Sequence, residues 1–179
     1  LEMDRDFGAE EMKKVGMTTL PDWEFADFPT ANDFVKQNPG RYVVKPSGKA
    51  QNEKVLSYVG QEEDGKDLIT VLEHYQKGWS KRIKSFQIQK YASGVEVAIG
   101  AFFNGRDFVL PALINFEHKK MMNGNIGPST GEMGTSGFWS GDSRLYRETL
   151  FRMKERIQGY VGYFDINCIV NSRGIFPLE

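Results

Sequence analysis

The residues best suited to chemistry stand at Glu117-His118-Lys119-Lys120, at the mouth of a run that reads MMNGNIGPSTGEMGTS. Glycine occupies positions 124, 127, 131, 134 and 137, with one proline and several small hydroxyl residues between them. Glycine loses more backbone freedom on ordering than any other residue, so this composition predicts a loop, neither helix nor strand. The free N–H groups of such a loop suit an anion, with His118, Lys119 and Lys120 supplying charge; the alternative is a flexible surface loop. A second candidate is Lys45, which ends the apolar run Tyr42-Val43-Val44 just before Pro46-Ser47-Gly48. A strand that fixes an ammonium, followed by a loop with backbone donors, can hold a phosphate; a lysine snorkelling from a strand end fits the same pattern. The third candidate is Asp165, set among apolar neighbours in GYFDINCIV, with Glu179 fourteen residues later on the expected return strand. Two carboxylates on adjacent strands suit Mg²⁺, and a salt-bridged Asp beside a surface Glu suits the same spacing. His74 has no second metal ligand near it. Cys168 sits in a Cys-Ile-Val run and reads as a buried strand residue.

The elements around these residues follow from periodicity and punctuation. Helices are predicted over 4–15 (with Asp4 as cap), 31–37 (capped by Thr30), 67–76, and 144–158 (capped by Asp142 or Ser143). In the last of these Tyr146, Leu150, Met153 and Ile157 form an apolar stripe. Strands are predicted over 42–45, 55–60, 85–91, 95–103, 106–114, 162–170 and 175–179, with an extended segment over 18–28. Asn104-Gly105 signals a hairpin, so 85–114 reads as a three-stranded antiparallel meander leading into the glycine run.

The chain has 179 residues, 40% of them hydrophobic, enough for one domain or two small lobes with a sizeable core. A formal net charge of −1 and the lack of nucleic-acid motifs argue against nucleic acid, and no apolar run reaches membrane-spanning length. One cysteine excludes an internal disulfide and a cysteine-based zinc site, and points to a reducing cytoplasm. The chain opens on Leu1 and stops within a strand pattern. It therefore reads as a piece of a longer protein, with Leu178-Glu179 readable as native or as a cloning remnant.

Glu117–Lys120 followed by GNIGPSTGEMG (124–134), the frame YVGYFDINCIVNSRGIFPLE, the strand RYVVKPSG and the segment FQIQKYASGVEV together resemble the ATP-grasp superfamily. Within it they are most similar to the ATP-grasp portion of phosphoribosylamine–glycine ligase. The resemblance implies an α+β, two-lobed ATP-grasp fold. Each lobe holds an antiparallel sheet with helices, the smaller over 1–92 and the larger over 93–179, and ATP binds between them. It also implies an ADP-forming ligase that joins a carboxylate to an amine through an acyl-phosphate, with glycine and phosphoribosylamine as the small-molecule pair. By position, Arg5, Lys45, Gly48, Gln89, Lys90, Tyr91, Ala92 and Glu96 are implied to bind ATP. Asp165 and Glu179 are implied to bind Mg²⁺ or Mn²⁺. His118, Lys119, Thr130, Gly131, Met133 and Gly134 are implied to face the substrate and γ-phosphate. This sequence departs from the family pattern in four respects. Arg5 replaces a lysine; Lys49–Val55 lacks the glycines of a phosphate flap; Gln89-Lys90 replaces an acidic hinge; and a metal-binding Asn and flanking domains lie outside the chain. Two alternatives stay open: a diverged ATP-grasp ligase with another acid and amine, and a nucleotide-binding module without catalysis.

Overall fold

The computed structural model describes residues 5–48, 56–81 and 83–179. The Asp4 cap, the Arg5 side chain and the 49–55 segment lie outside the described residues. The chain divides into two compact units, one made chiefly of Leu20–Ala92, the other of Ser93–Glu179 together with Phe7–Thr19.

The first unit is a four-stranded antiparallel sheet covered on one face by two helices. Its elements are β1 (Asp22–Phe25), α2 (Phe28–Gln37), β2 (Tyr42–Pro46), β3 (Tyr58–Val59), α3 (Lys66–Trp79) and β4 (Phe86–Lys90), with strand order β1-β4-β2-β3. Alternation in β2 and β4 sends Tyr42, Val44, Phe86 and Ile88 into a core shared with Ala31 and Val35 of α2 and Leu68 and Leu72 of α3. Helix α2 begins three residues earlier than its apolar pattern predicts. Asp27 caps it, accepting from the Thr30 N–H at 2.8 Å, and Pro29 is tolerated in the first turn, where its missing donor is not needed.

The second unit is a five-stranded antiparallel sheet of order β7-β6-β5-β8-β9. Its strands are β5 (Val95–Asn104), β6 (Phe108–Met122), β7 (Ile126–Ser140), β8 (Val161–Asn171) and β9 (Gly174–Pro177). Val97, Ile99, Ala101, Phe103, Ala112, Ile114, Ile166 and Cys168 line its core face. Burial pushes the Cys168 thiol up to about 12, which keeps it protonated and unreactive. Helix α1 (Arg5–Lys14) belongs with this core, although it comes first in the sequence beside the smaller lobe: Met12 and Met17 are buried in the core, and the buried Glu11 pairs with Arg156.

Three expectations need correction. The glycine run is not a loop. From Ile126 to Ser140 it is strand β7, paired with β6 from Ala112↔Ser140 down to Met122↔Ile126, and the turn is confined to 123–125. The entropic cost of glycine is offset by ladder hydrogen bonds, and Gly137 is needed there, because a Cβ would lie 2.9 Å from the Ile114 carbonyl. The meander over 85–114 is split: β4 belongs to the first sheet, and only β5 and β6 form the hairpin, with Gly105-Arg106 rather than Asn104-Gly105 at its centre. The long helix over 144–158 is α4 (Arg144–Glu148), α5 (Leu150–Met153) and a 3₁₀ turn (Lys154–Arg156). It breaks at Thr149, whose φ of −125° and ψ of −95° leave the helical region and whose hydroxyl donates to the Leu145 carbonyl at 2.5 Å. The predicted stripe survives the break, because Tyr146, Leu150, Met153 and Ile157 all reach the core.

Candidate functional site

In the first unit, the polar residues gather on the sheet face turned away from the helices. Val43 pairs with Gln89 and Lys45 with Gln87, so Lys45, Gln87 and Gln89 share that face. Lys45 Nζ donates to Gln89 Oε1 at 3.1 Å, and Gln87 Nε2 donates to Asp22 Oδ2 at 2.7 Å. Gln87 and Gln89 are buried, so each amide is fixed by its partner and presents a set orientation. Gly48, just past the end of β2, has a φ of +58°, a left-handed turn that favours glycine.

The hinge residues separate. Lys90 points to the opposite face from Gln89 and lies over the Tyr42 ring, 4.8 Å from its centroid. Its N–H is taken by the Pro21 carbonyl at 2.8 Å, and the Tyr91 N–H by the Arg41 carbonyl at 3.0 Å. The Arg41 guanidinium stacks on the Tyr91 ring at 3.7 Å. The side chains of Gln89 and Lys90 therefore lie on opposite faces of β4. Adjacent strand residues face opposite ways, a constraint that reading them as one hinge dipeptide overlooks.

In the second unit, the sheet face away from the core carries Glu96, Asn115, Glu117, Lys119, Asp165 and Asn167. The register sets them side by side: Ala98 pairs with Asn115 on one neighbour and Asn167 on the other, and Gly100 pairs with Asp165. Small residues at 98 and 100 leave the polar groups uncrowded, and a Cβ at Gly100 would lie 2.8 Å from the Asp165 Cβ as well as meeting the Tyr163 ring. Burial, reinforced by the Asp165 charge, holds the Tyr163 phenol above its usual range. Lys119 Nζ meets Glu96 Oε1 at 2.6 Å and Glu117 Oε2 at 3.0 Å. Thr130 Oγ1 donates to the Lys119 carbonyl at 2.8 Å, and Asn115 Nδ2 donates to Thr135 Oγ1 at 3.4 Å.

His118 alternates with Glu117 and Lys119 and pairs with Gly134, so His118 and Lys119 fall on opposite faces of the strand. Gly131, Met133 and Gly134 lie on β7, with Met133 exposed. Arg5 opens α1. Asp165 is exposed on the polar face, not buried among its apolar neighbours, because β8 turns Ile166 and Cys168 inward instead. Asn115, Asn167, Gln87 and Asp22 escaped sequence reasoning, though strict alternation from Asp165 would have put Asn167 on the same face; Glu117 stood in the motif, but its pairing with Lys119 comes from the fold.

Oxygen donors suited to Mg²⁺ come from Asp165, Glu179 and Asn167. The Asn167 N–H donates to the Glu179 carbonyl at 2.9 Å and the Leu178 N–H to the Asn167 carbonyl at 2.8 Å, so the pairing of β8 and β9 extends to the last residue. Asn167 Oδ1 is buried without a hydrogen-bond partner. A hidden acceptor of this kind is costly unless something donates to it or coordinates it. Among the described residues no three His, Cys, Asp or Glu side chains form a metal cluster. Together these residues could offer two carboxylates and an amide, hard oxygens of the kind Mg²⁺ takes rather than a softer metal.

This arrangement is the ATP-grasp fold. The solved phosphoribosylamine–glycine ligase from Thermotoga maritima superposes on 98% of this chain and 46% of its own, with a TM-score of 0.68 at 23% identity. The D-alanine–D-alanine ligase from Bacillus anthracis, solved with ATP, covers 99% of this chain and 54% of its own, with a TM-score of 0.59 at 17% identity. The family profile of the phosphoribosylglycinamide synthetase ATP-grasp (A) domain matches residues 3–162, and the chain belongs to that family. Phosphoribosylamine–glycine ligases from Clostridium acetobutylicum and Thermotoga maritima are 25% and 27% identical over the whole chain. The chain spans 44% and 46% of those two enzymes, a little under half of each.

Proposed function

We propose that this chain is the ATP-grasp portion of an ADP-forming ligase that joins a carboxylate to an amine, with glycine and phosphoribosylamine as the first pair to test. The carrying observation is the polar face of β5, β6 and β8, which carries Glu96, Lys119, Asp165 and Asn167 on a sheet whose opposite face is apolar. Membership of the family over residues 3–162 supports the same reading.

In this reading Lys45, held by Gln89, meets the α- and β-phosphates, and Gly48 and Arg5 serve the same nucleotide. Gln89 and the backbone of Tyr91-Ala92 face adenine, and Glu96 faces ribose. Asp165, Asn167 and Glu179 would hold Mg²⁺, which when bound supplies charge neutralisation for the phosphates. The strand Pro128–Gly134, with Thr130, Gly131 and Met133, borders the acid substrate. A carboxylate oxygen attacks the γ-phosphorus and ADP leaves; the amine then attacks the acyl carbon, losing a proton as phosphate leaves. Such chemistry asks the protein for positioning and electrostatics more than for a base. A cytoplasmic setting and further domains of the same chain complete the proposal.

Isothermal titration of the full-length protein with a non-hydrolysable ATP analogue, with and without Mg²⁺, tests it. Mg²⁺-dependent binding is expected, followed by ADP release only when acid and amine are both supplied; no binding under either condition overturns it. A second reading, a diverged member with another acid and amine or with turnover lost, draws on the hinge. There Lys90 faces the core and the Lys90 and Tyr91 N–H groups are already taken. Binding without ADP release from glycine and phosphoribosylamine supports that reading.

A further inference from the structure

Lys119 is held from two sides. Glu96, on β5, lies 2.6 Å from its ammonium, and Glu117, two residues earlier on the same face of β6, lies 3.0 Å away. The backbone of Lys119 is tied as well, by the Thr130 hydroxyl of β7 at 2.8 Å. An ammonium has three N–H donors; one goes to Glu96, and Glu117 pins the group from a second side, so the direction of what remains is set by the clamp. Burial opposes the charge on Lys119, and its hydrogen bonds to the Glu96 and Glu117 carboxylates outweigh it, holding its pKa above the usual lysine value. The group therefore stays a donor at neutral pH. One ammonium between two carboxylates carries a local charge of about −1, the wrong sign to draw in a phosphate by attraction.

We infer that Glu117 and Glu96 are positioning residues that make Lys119 a single directed donor, aimed at one acceptor oxygen of the ligand and not an anchor for phosphate. The identity of that ligand as the acid substrate rests on the ligase reading; the clamp itself does not. Three things follow from the geometry. Removing Glu117 frees the ammonium to swing while leaving the ribose-facing Glu96 in place. Glu117 and Lys119 act as one unit, so their losses do not add. Nucleotide affinity is insensitive to either.

The test uses the full-length protein with ¹⁵N-labelled lysine. The Lys119 ammonium signal, assigned by its loss in Lys119→Met, is expected to exchange slowly with solvent in the wild type and rapidly in Glu117→Gln. Equal exchange in both overturns the clamp, whatever the enzyme's activity. In turnover assays Glu117→Gln and Lys119→Met should each lower kcat/KM for the acid about tenfold or more, and the double variant should be no worse than Lys119→Met. Glu117→Asp should recover part of the loss, and ATP-analogue Kd should stay within about twofold throughout. A Lys119→Met variant that loses nucleotide affinity while Glu117→Gln gains it would make Lys119 a phosphate anchor and overturn the inference. If the wild type binds no nucleotide, the ligase reading fails, and the exchange measurement still decides the clamp.

Discussion

Lys45 was the most legible residue of the site: a lysine ending an apolar strand before a serine-glycine turn. Its partner was not legible, because Gln89 lies forty-four positions away and only the β2–β4 register makes them diagonal neighbours. Lys45→Ala removes a charged donor and leaves the buried Gln89 Oε1 without a partner. It should weaken ATP-analogue binding by about 10- to 100-fold, the equivalent of a charged hydrogen bond, and calorimetric titration of the full-length protein checks this. Glu11 is a residue whose role sequence could not suggest. It is 4% exposed, pairs with Lys14 at 2.8 Å, and reaches Arg156 on the 3₁₀ turn. The hydrogen bond from Lys14, with Arg156 adding to it, holds its carboxyl below the usual range despite burial. A carboxylate with a lowered folded pKa contributes stability above its unfolded pKa and loses it as pH falls through the folded value. Glu11→Gln should therefore lower Tm at pH 7, and the gap to wild type should close below about pH 4. Thermal melts across pH measure this; a gap that persists in acid would assign Glu11 a packing role instead.

At the scale of elements, periodicity succeeded where a segment carries its own reason for its conformation. Helix α3 needs only the spacing of Leu68, Leu72 and their neighbours, and the stripe over Tyr146–Ile157 survived even a broken helix. It failed for β7, where composition argued one way and the partner strand the other. Fifteen residues rich in glycine form a strand because β6 supplies a ladder along their length. Glycine is required for a local reason at Gly65, which opens α3 with a φ of +78° and whose Cβ would lie 2.7 Å from the Gly40 carbonyl. Gly65→Ala should cost about 1–3 kcal/mol from the left-handed conformation alone, with the backbone clash adding to it. A urea melt would show this as a lower midpoint at unchanged slope; an unchanged midpoint would mean that the turn relaxes freely.

For the whole molecule, the decisive feature is two separate cores, one around Leu72, Phe86 and Ile88, the other around Ile99, Leu150 and Ile166. Leu72→Ala and Leu150→Ala each empty space at a fully buried position, at about 2–5 kcal/mol apiece. Scanning calorimetry should show each variant shifting a different part of the unfolding endotherm; identical displacement of one undivided transition would mean that the units unfold together. The ingredients could be read from the chain alone: the apolar stripes, a hairpin between β5 and β6 (one residue off its true centre), the lysine at the end of β2, the carboxylate at 165 and the resemblance that groups them. These rest on interactions between residues close in the chain, or on patterns repeated at a fixed period. Only the tertiary structure decided which sheet owns β4, which core owns α1, that the glycine run is a strand, and that His118 and Lys119 face apart. Each of these depends on strand partners distant in sequence, and a register shift of one residue turns every side chain of a strand to the other face.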